Sequence, residues 1–276
     1  MRSLQTRLAQ GRGAAMRAWL GRALARYLGT PGRAAAIGVP SDIGSLARTL
    51  KPGDVILVEG TSRVSTAIKY LTQSTWSHAA LYVGGMPEHA VGGDVPCVVE
   101  ADISEGVRAV ALSAFEQMHC RICRPVGLDE NEVGAVCQYA IDRLGQAYDL
   151  KNVTDLARYL FPTPPVPLRW RRKMLALGSG DPTRAICSTL IAQAFQSVQY
   201  PILPSIETLS LNDPGCHDCV EQVLHVRHHS LFAPRDFDVS PYFEIIKPTL
   251  SSGFDHRALR WGLAPGGAVL NMARHP

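Results

Sequence analysis

The 276-residue chain lacks the features that mark membrane-spanning, secreted and disulfide-stapled proteins. It has no uninterrupted run of about 18 apolar residues, and its N-terminus has no compact apolar segment of the signal-peptide kind. Its seven cysteines are an odd number spread over a long chain, which is not the pattern of a disulfide framework. We therefore expect a cytoplasmic protein with at least one free thiol.

Acidic residues are missing from the first 41 positions, which hold seven arginines. The other 21 basic residues face 24 acidic ones, so the rest of the protein carries a net charge of −3. A nucleic-acid-binding domain needs a basic face of its own. The charge balance therefore argues against a nucleic-acid partner and restricts contact with an anionic surface to the N-terminal arm, residues 1–49.

The arm contains one amphipathic segment. Its apolar residues follow helical spacing and form a single stripe, which consists of Met16, Trp19, Leu20, Ala23, Leu24 and Tyr27. Arg22 and Arg26 lie on the opposite side of the predicted helix. Three interpretations stay open: a helix docked on the body, a helix whose residues 14–28 lie on anionic lipid, and a cleaved targeting peptide. The second would make the protein peripheral on the inner membrane.

Short strands dominate the middle of the chain, and helices flank them. Strands are predicted at residues 55–58, 78–83, 97–101 and 121–124. Ser62 is a predicted helix cap, and Asp129 with Glu132 forms a predicted capping box before a helix that Gly145 closes. A last helix is predicted over residues 184–198. This order, with no internal repeat, predicts an α+β fold.

A proline-rich insertion, residues 161–180, interrupts this pattern. Its prolines remove backbone donors and fix φ, which excludes helix and central strand. Trp170, Arg171 and Arg172 follow the prolines and offer apolar contact and positive charge. Because the segment leads into the last predicted helix, we expect a mobile cover whose side chains bind substrate. The alternative is a surface loop that packs elsewhere.

Three residues have the chemistry of a thiol-dependent site. A cysteine nucleophile needs its thiolate, a neighbouring imidazole favours the thiolate, and a third group holds the imidazole. Cys187 lies early in a predicted helix, His78 opens a strand, and Glu100 lies in the next strand. Side chains alternate along strands, so any register that pairs positions 78 and 100 brings imidazole and carboxylate together. Taken singly, such a cysteine and such a histidine are more often structural than catalytic, and it is their combination with the glutamate that indicates a site.

The segments that carry these residues resemble the circularly permuted NlpC-type papain-like cysteine hydrolases, a permutation shared by lecithin:retinol acyltransferase-like proteins. In that group the His-bearing strand precedes the Cys-bearing helix. The matching segments are residues 51–57, 74–84, 98–101, 145–149 and 187–191. The resemblance implies a permuted papain-like domain at residues 50–247, with a central antiparallel sheet or partial barrel flanked by helices. Residues 248–276 are then a C-terminal extension.

The resemblance also implies roles for single residues. Cys187 would be the nucleophile, His78 the general base and Glu100 the residue that orients it, while Tyr148 would line the site. The implied activity is hydrolysis or acyl transfer at an amide, ester or thioester bond through an acyl-enzyme, without a cofactor. A small-molecule, lipid or peptide substrate near a membrane fits this activity. The alternative is a non-catalytic, membrane-associated binding module on the same fold, and the oligomeric state stays open.

A possible metal site lies near the C-terminal part of the domain. Cys216 and Cys219 form a C-x2-C pair, and three histidines follow at positions 225, 228 and 229. A compact zinc knuckle and an uncoordinated loop are both compatible with this spacing. Cys120 and Cys123 form a second pair, but residues three apart in a strand point to opposite faces. We predict no bound metal.

Overall fold

Antiparallel strand pairing organises the protein. The computed structural model describes residues 30, 38–90, 94–102, 105–146, 186–210, 220–251 and 253–258. Its strands are β1 Val55–Val58, β2 His78–Tyr82, β3 Val98–Asp102, β4 Gly106–Val110, β5 Cys120–Pro125, β6 Ser205–Ser210, β7 Val220–His225 and β8 Phe243–Ile246. Six of them form one sheet in the order β4-β3-β2-β1-β5-β8, and β6 pairs with β7 separately. Each neighbouring pair is antiparallel.

The helices begin where the sequence supplies caps. Their bounds are α1 Ile43–Thr49, α2 Arg63–Thr72, α3 Glu130–Ile141, α4 Ile186–Ser197, α5 Pro234–Asp238 and α6 Pro248–Ser251. The Ser62 side chain caps α2, and Asp129 with Glu132 forms the predicted capping box of α3. Helix α3 ends at Ile141, so Gly145, at φ +79°, belongs to the following turn rather than to the helix end. None of the described helices combines the length and apolar character that a bilayer span requires.

The central strands of the six-stranded sheet carry apolar residues on both faces, and each face is buried in its own core cluster. The larger core cluster joins Leu57, Leu81 and Val99 of the sheet to apolar residues of α4. The smaller cluster lies around Ile56 and Ala80 on the other face. Cys120 and Cys123 fall into different clusters, as the alternation of strand side chains predicts. The sheet thus fixes β2 and β3 rigidly beneath α4.

The observed architecture confirms the predicted α+β class and the central antiparallel sheet with flanking helices. Four strands were not predicted: β4, β6, β7 and β8. Strand β4 and strand β8 form the two edges of the main sheet, and β6 with β7 forms a separate hairpin. Each of the four contains a charged residue, which interrupts the continuous apolar run that identifies β1.

Candidate active site

His78 is the first residue of β2, and the strand ladder fixes its position. It lies directly opposite Val58 of β1. Its side chain keeps 26% of its surface exposed, although the next three residues of the strand are buried. The imidazole therefore has a rigid backbone beneath it and an open side that a substrate can reach.

Glu100 of β3 forms a hydrogen bond with His78, and Nε2 of the imidazole lies 2.7 Å from Oε2 of the carboxylate. The ladder pairs Glu100 with Ala80 rather than with His78. The predicted face is correct, but the register differs by two residues from one that pairs positions 78 and 100. Residues diagonal in a ladder remain within reach of long side chains. The carboxylate is buried, with 9% of its side chain exposed.

Cys187 is the second residue of α4 and is buried, with 5% of its surface exposed. The His78 imidazole and the backbone N–H of Ala79 lie close enough to its thiol to lower the thiol pKa. The hydroxyl Oγ of Ser188 lies 4.0 Å from Sγ. Apolar residues of α4, including Leu190 and Phe195, belong to the larger core cluster. Packing of the helix on the sheet therefore brings the thiol to the start of β2.

The three side chains form a charged row in which each group stabilises its neighbour. Burial raises the pKa of Cys187, but the His78 imidazolium outweighs burial, and the net pKa lies below the usual thiol value. Burial lowers the pKa of His78, yet Cys187 and Glu100 raise it to about 10. Burial raises the pKa of Glu100, while His78 and Arg108 lower it to about 2. Imidazolium and carboxylate are therefore the stable forms near neutral pH, and the imidazolium favours the thiolate form of Cys187.

Arg108 is a further site residue, and the sequence analysis did not find it. It lies on β4 directly opposite Glu100. Its guanidinium donates from Nε and Nη2 to Oε1 of that carboxylate, at 2.9 and 2.7 Å. Side chains alternate along residues 106–110, and this alternation places Arg108 on the same face of the sheet as Glu100 once the two strands pair. Without a predicted β4, that alternation had no partner strand.

A second buried carboxylate lies just beyond β1. Glu59 accepts hydrogen bonds from the Gly38 N–H at 2.9 Å, His119 Nδ1 at 3.1 Å and Lys69 Nζ at 3.3 Å. The Trp76 ring packs against His119 with centroids 5.0 Å apart. These contacts join the end of β1 to α2 and to the residue before β5. We assign this cluster to the framework of the sheet end that carries His78.

Residues 49–161 match the model of a family described as permuted papain-like amidase enzyme, YaeF/YiiX, C92 family. The matched segment is 113 of the 276 residues, and the match indicates a cysteine hydrolase. The match confirms the family resemblance and the fold predicted from the sequence. The matched segment contains His78 and Glu100 and ends before Cys187.

One solved structure that this cysteine hydrolase resembles is described as a crystal structure of metalloprotein yiiX from Escherichia coli O157:H7. The two chains are 18% identical, and the alignment covers 71% of this chain and 96% of that one, with a TM-score of 0.40. No curated protein matches the chain.

Several predicted site residues lie outside the described residues. These are Tyr148, Trp170, Arg171 and Arg172, the insertion at residues 161–180 and the amphipathic segment at residues 14–28. Cys216 and Cys219 also lie outside them. In the part of the chain that the structure describes, no three His, Cys, Asp or Glu side chains come together to hold a metal ion. His225 instead contacts Glu207 across the β6–β7 hairpin, with Nε2 at 2.8 Å from Oε2.

Proposed function

We propose that Cys187, His78 and Glu100 form the catalytic triad of this hydrolase and that it cleaves acyl bonds through a thioester intermediate on Cys187. The observation that carries the proposal is the position of His78, whose imidazole forms a hydrogen bond with Glu100 and lies near enough to the Cys187 thiol to lower its pKa. A thiolate beside an imidazolium is a nucleophile that needs no further activation. Glu100 holds the ring in the orientation that this exchange requires.

Acylation begins when the Cys187 thiolate attacks the substrate carbonyl carbon. A C–S bond forms, and the bond from that carbon to the leaving nitrogen or oxygen breaks as the tetrahedral intermediate collapses. The His78 imidazolium donates its proton to the leaving group, which departs as an amine or alcohol. His78 is then neutral and Cys187 carries the acyl group as a thioester.

Deacylation uses the neutral imidazole as a base. His78 removes a proton from a water molecule, which attacks the thioester carbonyl. The C–S bond breaks, the acid leaves, and the thiolate–imidazolium pair is restored. An alcohol or amine in place of water would give acyl transfer by the same steps.

For the substrate, we propose an acyl lipid at the inner face of a membrane. Support comes from the sequence: seven arginines without an acid precede position 42, and residues 14–28 have an amphipathic pattern. Trp170, Arg171 and Arg172 supply apolar and cationic groups that suit an acyl chain next to an anionic head group. Proteins of this composition bind anionic lipid through apolar burial and charge together.

Hydrolysis of p-nitrophenyl esters of increasing acyl length tests both parts of the proposal. We expect a burst of p-nitrophenol, an acyl adduct on Cys187 in intact-mass spectra after acid quenching, and kcat/KM that rises with acyl length. Cys187→Ala removes both the burst and the adduct, whereas Cys97→Ala, at a half-buried cysteine outside the triad, retains them. Undiminished turnover by Cys187→Ala would contradict the nucleophile, and faster cleavage of peptide amides than of any ester would contradict the lipid substrate.

A further inference from the structure

Arg108 and His78 bind different oxygens of the same carboxylate. The guanidinium of Arg108 donates two hydrogen bonds to Oε1 of Glu100, and His78 occupies Oε2. This guanidinium fork holds one carboxylate oxygen while His78 holds the other, so the two residues together fix the carboxylate in rotation as well as in position. Arg108 is itself held by the ladder, where it pairs with Glu100.

The charges along this row alternate from α4 to the edge of the sheet. The Cys187 thiolate, the His78 imidazolium, the Glu100 carboxylate and the Arg108 guanidinium sum to zero. Without Arg108, the same buried row would carry a net negative charge, which burial disfavours. The other charged partners of Arg108 are more exposed: Glu105 at 2.9 Å from Nη1 and Asp102 at 3.9 Å from Nη2.

We propose that Arg108 is a positioning residue of the hydrolase: it locks the Glu100 carboxylate in the orientation that His78 requires and offsets its charge, and activation of the Cys187 thiol depends on both effects. This inference rests on the proposed triad. It adds a fourth member that does not touch the substrate and acts through Glu100. The two effects are separable, because lysine keeps the charge of arginine but not its fork.

Loss of the positive charge has a definite sign. A nearby cation stabilises each deprotonated acid and disfavours each protonated base, so removing it raises the pKa values of Glu100, Cys187 and His78 together. At an effective dielectric constant of about 20, the unit charge of Arg108 moves the pKa of a group elsewhere in this row by on the order of one pH unit. Loss of the fork alone leaves these pKa values nearly unchanged and instead lets the carboxylate rotate.

The test measures the rate of Cys187 alkylation by iodoacetamide against pH, with peptide mass spectrometry to assign the label, together with kcat on the p-nitrophenyl ester. Arg108→Gln should move the alkylation midpoint upward by on the order of one pH unit. Arg108→Lys should keep the midpoint and lower kcat roughly ten- to hundredfold, since small displacements of catalytic groups have effects of that size.

Arg124→Gln is the matched control. Arg124 of β5 also uses Nε and Nη2, but it binds both oxygens of the buried Asp54, at 2.8 and 2.7 Å. The Arg124→Gln variant should have a lower melting temperature than wild type and the same alkylation midpoint. If Arg108→Gln also loses stability but keeps the wild-type midpoint, Arg108 is only structural and the proposal is wrong. An unchanged kcat in Arg108→Lys would contradict the proposal that the guanidinium fork orients Glu100. Failure of the triad itself would appear elsewhere, as turnover by Cys187→Ala.

Discussion

The Nε2 atom of His78 faces Glu100, and its Nδ1 atom is therefore the ring nitrogen available to Cys187. A neutral imidazole carries one proton, and hydrogen bonding to the carboxylate keeps that proton on Nε2. Nδ1 is then the ring nitrogen that can exchange a proton with the thiol. One hydrogen bond thus sets both the orientation of the ring and the direction in which the proton moves.

The first prediction concerns the reactivity of the Cys187 thiol. Its alkylation by iodoacetamide should have a midpoint below the ordinary thiol pKa of about 8.5, because His78 stabilises the thiolate. In His78→Ala the midpoint should rise, since burial, the largest influence on this thiol, is then opposed only by the weaker contacts with Ala79 and Ser188. The measurement is the rate of labelling at each pH, located by peptide mass spectrometry.

Two buried cysteines serve as internal controls for that experiment. Burial raises the pKa of Cys120 to about 12 and that of Cys137 to about 11, so both should remain unlabelled near neutral pH. A wild-type midpoint at or above that of His78→Ala would contradict the thiolate–imidazolium pair.

The second prediction concerns stability against pH. The pKa of Glu100 is lowered to about 2 in the folded protein, so its contribution is present above about pH 4.5 and is lost as pH falls towards 2. The pKa of His78 is raised to about 10, so its contribution is present below about pH 6.5 and is lost as pH rises towards 10. We expect Glu100→Gln to reduce unfolding free energy by on the order of 3 kcal/mol between these limits.

Urea denaturation from pH 2 to 10 checks this expectation. The stability difference between wild type and Glu100→Gln should shrink towards pH 2, and the loss in wild type should be reversible. Glu116→Gln, at an exposed position, is the control and should leave the pH dependence unchanged. A constant difference across the whole range would show that the carboxylate charge does not contribute.

The third prediction concerns the aromatic cluster beneath α4. Phe195 is fully buried and contacts the rings of Tyr200, Phe237 and Phe243, with centroid distances of 5.5, 6.5 and 5.1 Å. Phe195→Ala should reduce unfolding free energy by about 3–5 kcal/mol through the cavity that it leaves, and Phe195→Leu should cost less. Tyr70→Ala, at a residue 71% exposed, should have little effect. Equal melting temperatures for the Phe195 and Tyr70 variants would refute the assigned packing.

The fourth prediction concerns the arginine-rich arm. Replacing Arg17, Arg22 and Arg26 by glutamine should weaken cosedimentation with phosphatidylglycerol-containing vesicles by about fivefold per charge, most clearly at low salt. The matched variant with lysine at the same three positions should bind like wild type. Equal binding of the glutamine variant and wild type would favour an arm docked on the body.

The triad candidates were accessible from the sequence because each lies in a strongly patterned element. The apolar run of β1 and the short strand-like segments around His78 and Glu100 identify three strands. Side-chain parity then places imidazole and carboxylate on one face. Parity does not fix register, and the observed pairing of Glu100 with Ala80 depends on the whole ladder. The helical periodicity of the apolar residues likewise predicted that Cys187 lies early in a helix.

Arg108 was not predictable in the same way. In the part of the chain that the structure describes, its strand forms an edge of the sheet, where the sequence needs no continuous apolar run. An arginine on such a strand has the pattern of a solvated residue. Only the pairing of β4 with β3 reveals that it faces a buried carboxylate.

The placement of the four charged groups along the chain sets an order in which the site can be assembled during folding. Glu100 lies 22 residues from His78 and 8 from Arg108, so neighbouring antiparallel strands suffice to join these three. Cys187 follows more than a hundred residues after His78 and arrives only when α4 docks on the sheet. Until then its thiol has the ordinary pKa of an unfolded chain. The nascent or partly unfolded protein therefore carries a cysteine of ordinary thiol reactivity. The lowered pKa of Cys187 appears only when the native core is complete.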